Sequence, residues 1–149
     1  MYPFHPLIEA SETGDTVISP FGQLWDRRAA VPPVLSLPTE ASITDTTVTV
    51  GCTTDDTTGT LFYYISTSAT APSVSNLKDG TGSTKFGNDT SITIPQTFAV
   101  TGLAASTTFY TYFIQNDGAD DSNLLESGTW STTAPPGGLV PRMTLMGVG

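Results

Sequence analysis

His5, Cys52 and a handful of aspartates are the side chains best suited to chemistry, and their surroundings argue against catalysis. His5 is the only histidine. A Ser-His-Asp triad needs an imidazole that is oriented and within hydrogen-bond reach of its nucleophile. The many serines and threonines offer no such arrangement, and His5 reads as a docking or surface residue. Cys52 alternates with Val48 and Val50, which makes it an inert core thiol. A single cysteine also rules out an intrachain disulfide.

Asp55-Asp56 and Asp117 with Asp120-Asp121 carry oxygen ligands. Calcium takes about six to eight converging oxygens, and no spacing here matches a metal loop. Aspartate beside glycine and asparagine is common in turns for backbone reasons, so these read as turn residues. Tyr64, Tyr110 and Tyr112 could form an aromatic platform for sugars, against the plainer reading that strand aromatics pack. Asn88-Asp89-Thr90 is formally a glycosylation sequon. No catalytic residue, cofactor or metal is expected.

Short strands joined by polar turns must hold these residues. The 149 residues suit one core plus extensions, and Thr, Ser and Gly dominate, with β-branched and aromatic residues supplying the apolar content. The net charge of −9 and a pI near 4.1 work against a nucleic-acid partner, because duplex binding depends on Lys and Arg at phosphates. The acids concentrate between Pro33 and Thr133, while Arg27, Arg28 and Arg142 lie in the flanks. No run approaches the roughly 20 apolar residues of a membrane span, and the first residues lack the basic and apolar regions of a signal peptide. A soluble chain, without membrane contact, is the expectation.

Met1 to Pro32 shows neither strand alternation nor a long helical stripe, although Ser19-Pro20 could open a short helical turn across Gly22 to Ala29. Pro32-Pro33 marks a boundary. Val34, Leu35 and Leu37 then suit an edge strand stopped by Pro38, and Thr46 to Thr54 follows with Val48, Val50 and Cys52 on one face. Leu61 to Ile65 is so uniformly apolar that a central strand is expected, with its inward aromatic left open. Ser66 to Asp89 reads as loops with at most one short edge strand, and Ile92 and Ile94 alternate before Pro95 interrupts. Phe98 to Asp117 reads as strand, corner, strand; Asp117 to Asn123 as a hairpin loop; Leu124 to Thr132 as the last strand. The count is about seven strands, the pattern of an all-β immunoglobulin-like sandwich.

The run Thr101-Gly102-Leu103-Ala104-Ala105-Ser106-Thr107-Thr108-Phe109 resembles the Gly-Leu, short turn, Thr-x-Tyr pattern that precedes strand F of fibronectin type III domains. The likeness covers Pro33 to Thr133. It implies a seven-stranded fibronectin type III sandwich over residues 33–134, with strand B at Val48 to Cys52 and strand C at Leu61 to Ile65. Two departures stand out. Phe109 replaces the tyrosine of the corner, leaving its hydrogen bond absent or to Tyr110, and Cys52 replaces a tryptophan, leaving room for aromatics from strands C and F.

The segments GTLFYYISTSAT, TGLAASTTFYTYFIQND and DSNLLESGTWSTT together resemble the fibronectin-like domains of tailed-bacteriophage virion proteins. That resemblance implies a non-enzymatic structural or adhesive part of a virion. Residues 1–32 form an N-terminal docking arm, with Tyr2, Phe4, Leu7, Ile8, Phe21, Leu24, Trp25, Arg27 and Arg28 as its contact residues. Residues 135–149 form a linker and C-terminal docking tail, with Leu139, Val140, Arg142, Met143, Leu145, Met146 and Val148. Capsid decoration in the virion is the expected role. Its partners are the major capsid or other virion proteins and neighbouring copies of the chain in a homo-oligomer. The alternative is a tail or collar adhesion module contacting host surface glycans.

Overall fold

The computed structural model describes residues 31–137 in full, together with the backbone of two short strands ahead of them. These are β1 (Thr16–Ile18) and β2 (Leu24–Asp26), paired antiparallel with Val17 opposite Trp25. Strand therefore replaces the helical turn expected over Gly22 to Ala29 where it is described, at Leu24–Asp26. The physical reason is local: Val17, Ile18 and Trp25 are of the β-branched and aromatic types that favour strand over helix. The chain divides into two units, Met1–Val31 and Pro32–Gly149.

The second unit is all-β apart from one helix. In chain order it contains β3 (Leu35–Ala41), β4 (Thr47–Thr54), β5 (Thr60–Ser66), α1 (Val74–Asp79), β6 (Lys85–Asp89), β7 (Gln96–Thr101), β8 (Thr108–Asn116) and β9 (Leu125–Ser131). Three strands form one antiparallel sheet in the order β3-β4-β7, and four form the other in the order β6-β5-β8-β9. The links β4 to β5, β6 to β7 and β7 to β8 each cross between the sheets. That interleaving makes a β-sandwich of seven strands.

Alternation sets the core. Val48, Val50 and Cys52 from β4 and Phe98 and Val100 from β7 meet Leu61, Ile65, Phe109, Phe113 and Trp130 from the facing sheet. Tyr63 is the inward aromatic of β5 and stacks on Phe98 with ring centroids 4.7 Å apart. Phe109 and Phe113 of β8 and Trp130 of β9 belong to the same core as Cys52. Trp130 packs 5.1 Å from Phe109, and its indole Nε1 donates to Thr111 Oγ1 at 2.9 Å.

A second, smaller cluster lies on the outer face of the four-stranded sheet. Tyr64, Tyr112 and Ile114 are buried there with Leu77 of α1. This helix was not expected in Ser66 to Asp89. Ser73 caps it by accepting from the Asn76 N–H, and Gly80 closes it at φ 72 with its N–H donating to the Asn76 carbonyl. Both faces of β5 and β8 are thus covered, which accounts for the unbroken apolar run of Leu61 to Ile65.

Two further corrections concern strand ends. Pro38 does not stop β3; the strand runs on to Ala41 through a register shift between Ser36 and Thr39, with Leu37 at φ 48. An edge strand can take a proline at such a bulge because no ladder hydrogen bond is lost. Ile92 is buried while Ile94 is 52% exposed, so the pair does not line one face and belongs to no strand.

Candidate functional site

The docking residues proposed from sequence fall almost wholly outside the described part. Leu24 and Trp25 lie in β2, known by its backbone alone. Tyr2, Phe4, Leu7, Ile8, Phe21, Arg27, Arg28, Leu139, Val140, Arg142, Met143, Leu145, Met146 and Val148 lie outside the described residues, as does His5.

Within the sandwich, the aspartates collect at one end and are used by the backbone. Asp55 Oδ1 accepts from the Val34 N–H at 2.7 Å, and Asp56 accepts from the Thr58 N–H and hydroxyl. Asp117 Oδ1 accepts from the N–H groups of Ala119 and Asp120, both at 2.7 Å. The Asp120 and Ala119 N–H groups hold the Asp117 carboxyl below its ordinary range. Asp121 pairs with Lys78 of α1 and accepts from Asn116. Burial resists its charge, but Lys78 and Asn116 outweigh that and the carboxyl titrates low. Among the described residues no cluster of three or more His, Cys, Asp or Glu could hold a metal. These aspartates are the turn residues that their neighbours Gly59 and Gly118 suggested.

Below that rim lies a polar knot that sequence reasoning missed. Gln115 is fully buried in β8. Its Nε2 donates to the carbonyls of Asp56 and Thr58, and its Oε1 accepts from Thr54 Oγ1. Its backbone N–H donates to Ser122 Oγ at 2.8 Å. Asn123 extends the knot to β3, accepting from the Leu35 N–H and donating to the Leu35 carbonyl. A glutamine closing the apolar run Phe113-Ile114 was the only available signal.

The tyrosine platform is not available as such. Tyr64 and Tyr112 are 5% and 0% exposed beneath α1, and Tyr110 is half-buried beside them. Their hydroxyls are also used: Tyr64 donates to the Thr81 carbonyl at 3.1 Å and Tyr112 to that of Ser68 at 3.4 Å. Desolvation, and then the charge of Glu126, raises the Tyr112 phenol above its usual range. Cys52 is buried, and desolvation pushes its thiol up to about 12, so a thiolate is suppressed at neutral pH.

The corner expected at Phe109 is closed by another residue. Phe109 is fully buried, and Thr132 supplies the hydroxyl. Thr132 Oγ1 donates to the Ala104 carbonyl at 2.7 Å and accepts from the Thr107 N–H at 3.0 Å, while the Ser106 N–H donates to the Thr133 carbonyl.

No protein-family model matches the chain, and no curated protein matches it. Among solved structures it is similar to a computationally redesigned β-sandwich protein, at 18% identity over 70% of this chain and 97% of that one, with a TM-score of 0.51. It is also similar to the sensor domain of the anti-sigma factor RsgI4 of Pseudobacteroides cellulosolvens. There the identity is 14% over 72% of this chain and 100% of that one, with a TM-score of 0.43. At 18% identity the first likeness is one of β-sandwich fold.

Proposed function

We propose that this chain is a non-enzymatic structural protein of a tailed-bacteriophage virion, a capsid decoration protein whose sandwich is displayed and whose terminal arms anchor it. The observation that carries the reading is the pairing of a self-contained sandwich with two apolar flanks. In the sandwich the candidate chemical groups are spent internally: aspartates on turns, tyrosines under α1, the thiol in the core. The flanks carry Tyr2, Phe4, Leu7, Ile8, Phe21, Leu24 and Trp25 at one end, and Leu139, Val140, Met143, Leu145, Met146 and Val148 at the other. Burying such residues on a neighbour contributes ~25 cal/mol per Å² before ordering costs.

What supports the fibronectin type III reading is that β4, read as strand B, lies in the three-stranded sheet, while β5 and β8, read as strands C and F, are neighbours in the four-stranded one. Fold analogy alone does not choose a role, so the test must be functional. Removal of Gly137 to Gly149 should leave a folded sandwich by circular dichroism and abolish incorporation into particles. Normal incorporation of the shortened protein would defeat the reading. The alternative, a tail or collar adhesion module, now has to use a surface other than Tyr64 and Tyr112, and a glycan array tests it directly.

A further inference from the structure

Each sheet of the sandwich has two edges, and three of these four carry devices that discourage pairing with another chain. β3 has Pro38, the register shift at Ser36/Thr39 and the Asn123 side chain bonded to both backbone groups of Leu35. β6 holds Lys85, Gly87 and Asp89 within its five residues. β9 contains Glu126 and Gly128, and its pairing with β8 is irregular between Tyr110 and Tyr112.

β7 has none of these. Gln96–Thr101 contains no proline, glycine or charge and pairs with β4 in unbroken register over all six residues. Thr97, Ala99 and Thr101 are exposed, while Phe98 and Val100 face the core. No described residue outside β4 makes a backbone hydrogen bond to the strand.

The charges around β7 say what fits. Asp89 Oδ2 accepts from Gln96 Nε2 at 2.9 Å, which places a carboxylate at the start of the strand. Lys85 Nζ lies 3.1 Å from where a Cβ on Gly102 would stand, which places an ammonium just past its end. An edge with acid at one end and base at the other is complementary to itself when turned end for end. We propose that β7 is a self-association edge, on which a second copy of this chain pairs its own β7 antiparallel across a two-fold axis.

With Ala99 on the axis, Thr97 lies opposite the partner's Thr101, and Phe98 opposite the partner's Val100. Both are favourable cross-strand combinations. The same rotation brings Asp89 of each copy to the end that holds Lys85 of the other. The two three-stranded sheets then continue as one, by strand addition in its isologous form. This surface is distinct from the terminal arms and does not rest on their role.

Sedimentation velocity on the full chain tests it, with Ala99→Lys and Ala99→Glu as variants and Thr129→Lys on exposed β9 as a control. The wild type and the control should shift to twice the 15.6 kDa mass as concentration rises. Each Ala99 variant, placing like charges face to face on the axis, should weaken that association on the order of tenfold or more. An equal mixture of the two should restore it, because Lys then meets Glu. Hydrogen exchange on the wild type, with β7 amides gaining protection as concentration rises, gives the same reading without a substitution. A wild type that stays monomeric at millimolar concentration overturns the proposal, as does association that survives both Ala99 variants or is lost only when residues 138–149 are removed.

Discussion

Thr54 Oγ1 donates to Gln115 Oε1 at 2.6 Å, joining two buried side chains of opposite sheets. The glutamine cannot turn over, because its Nε2 already serves the carbonyls of Asp56 and Thr58. Thr54→Val keeps the shape and leaves Gln115 Oε1 without a donor, at a cost of ~1–3 kcal/mol in urea unfolding. The double variant Thr54→Val/Gln115→Met should cost less in total than the sum of the two single changes, since the pair fails as a unit.

Thr132 should behave as the corner residue. Thr132→Val strips the partner from the Ala104 carbonyl and the Thr107 N–H, and ~1–2 kcal/mol of stability should go with it. Thr108→Val, on the exposed side of β8, removes only an exposed bond to Ser131 and should shift the urea midpoint far less.

Much of this architecture could be read from residue order, and the exceptions share a cause. β4 was legible because its core face is fully buried and most of its other face only partly so, and Val48, Val50 and Cys52 alternate with Thr47 and Thr49. The direction of Tyr63 and Tyr64 was not, because α1 covers the second face of β5 and erases the period. The helix itself was hidden by its length: one buried residue, Leu77, makes no stripe, although Ser73 and Gly80 are ordinary caps. Gln115 takes its side-chain partners from Thr54, Asp56 and Thr58, across the fold, and no local pattern announces such a pairing.

Cys52 gives a clean chemical test. With the thiol buried and pushed up to about 12 from 9.0, the folded protein should react with an aromatic disulfide reagent at pH 8 far more slowly than the unfolded chain. The linkage runs the same way. The folded state holds the proton longer, so this contribution to stability is intact below pH 9 and is lost as pH rises toward 12.

Acid should loosen the end of the sandwich that holds Asp117 and Asp121. Both carboxyls titrate below the ordinary 3.8, so the unfolded chain takes up protons first as pH falls. Their contribution is present above that value and disappears as pH drops through the folded-state values. The urea midpoint should fall between pH 5 and pH 2, two points about either side of the carboxylate range, and Asp121→Asn should reduce that dependence. An unchanged slope in the variant would place the acid sensitivity elsewhere.

α1 is only six residues long, well below the length at which a helix holds itself together in water. It exists because Leu77 sits on Tyr64, Tyr112 and Ile114 and because Lys78 reaches Asp121. Its attachment should therefore open as a cooperative unit separate from the core between the sheets. Lifting it off breaks one small cluster and one ion pair, far less than parting the sheets. Slow-exchanging amides should accordingly fall into two tiers, with those of α1 opening first while β4, β5 and β8 stay closed.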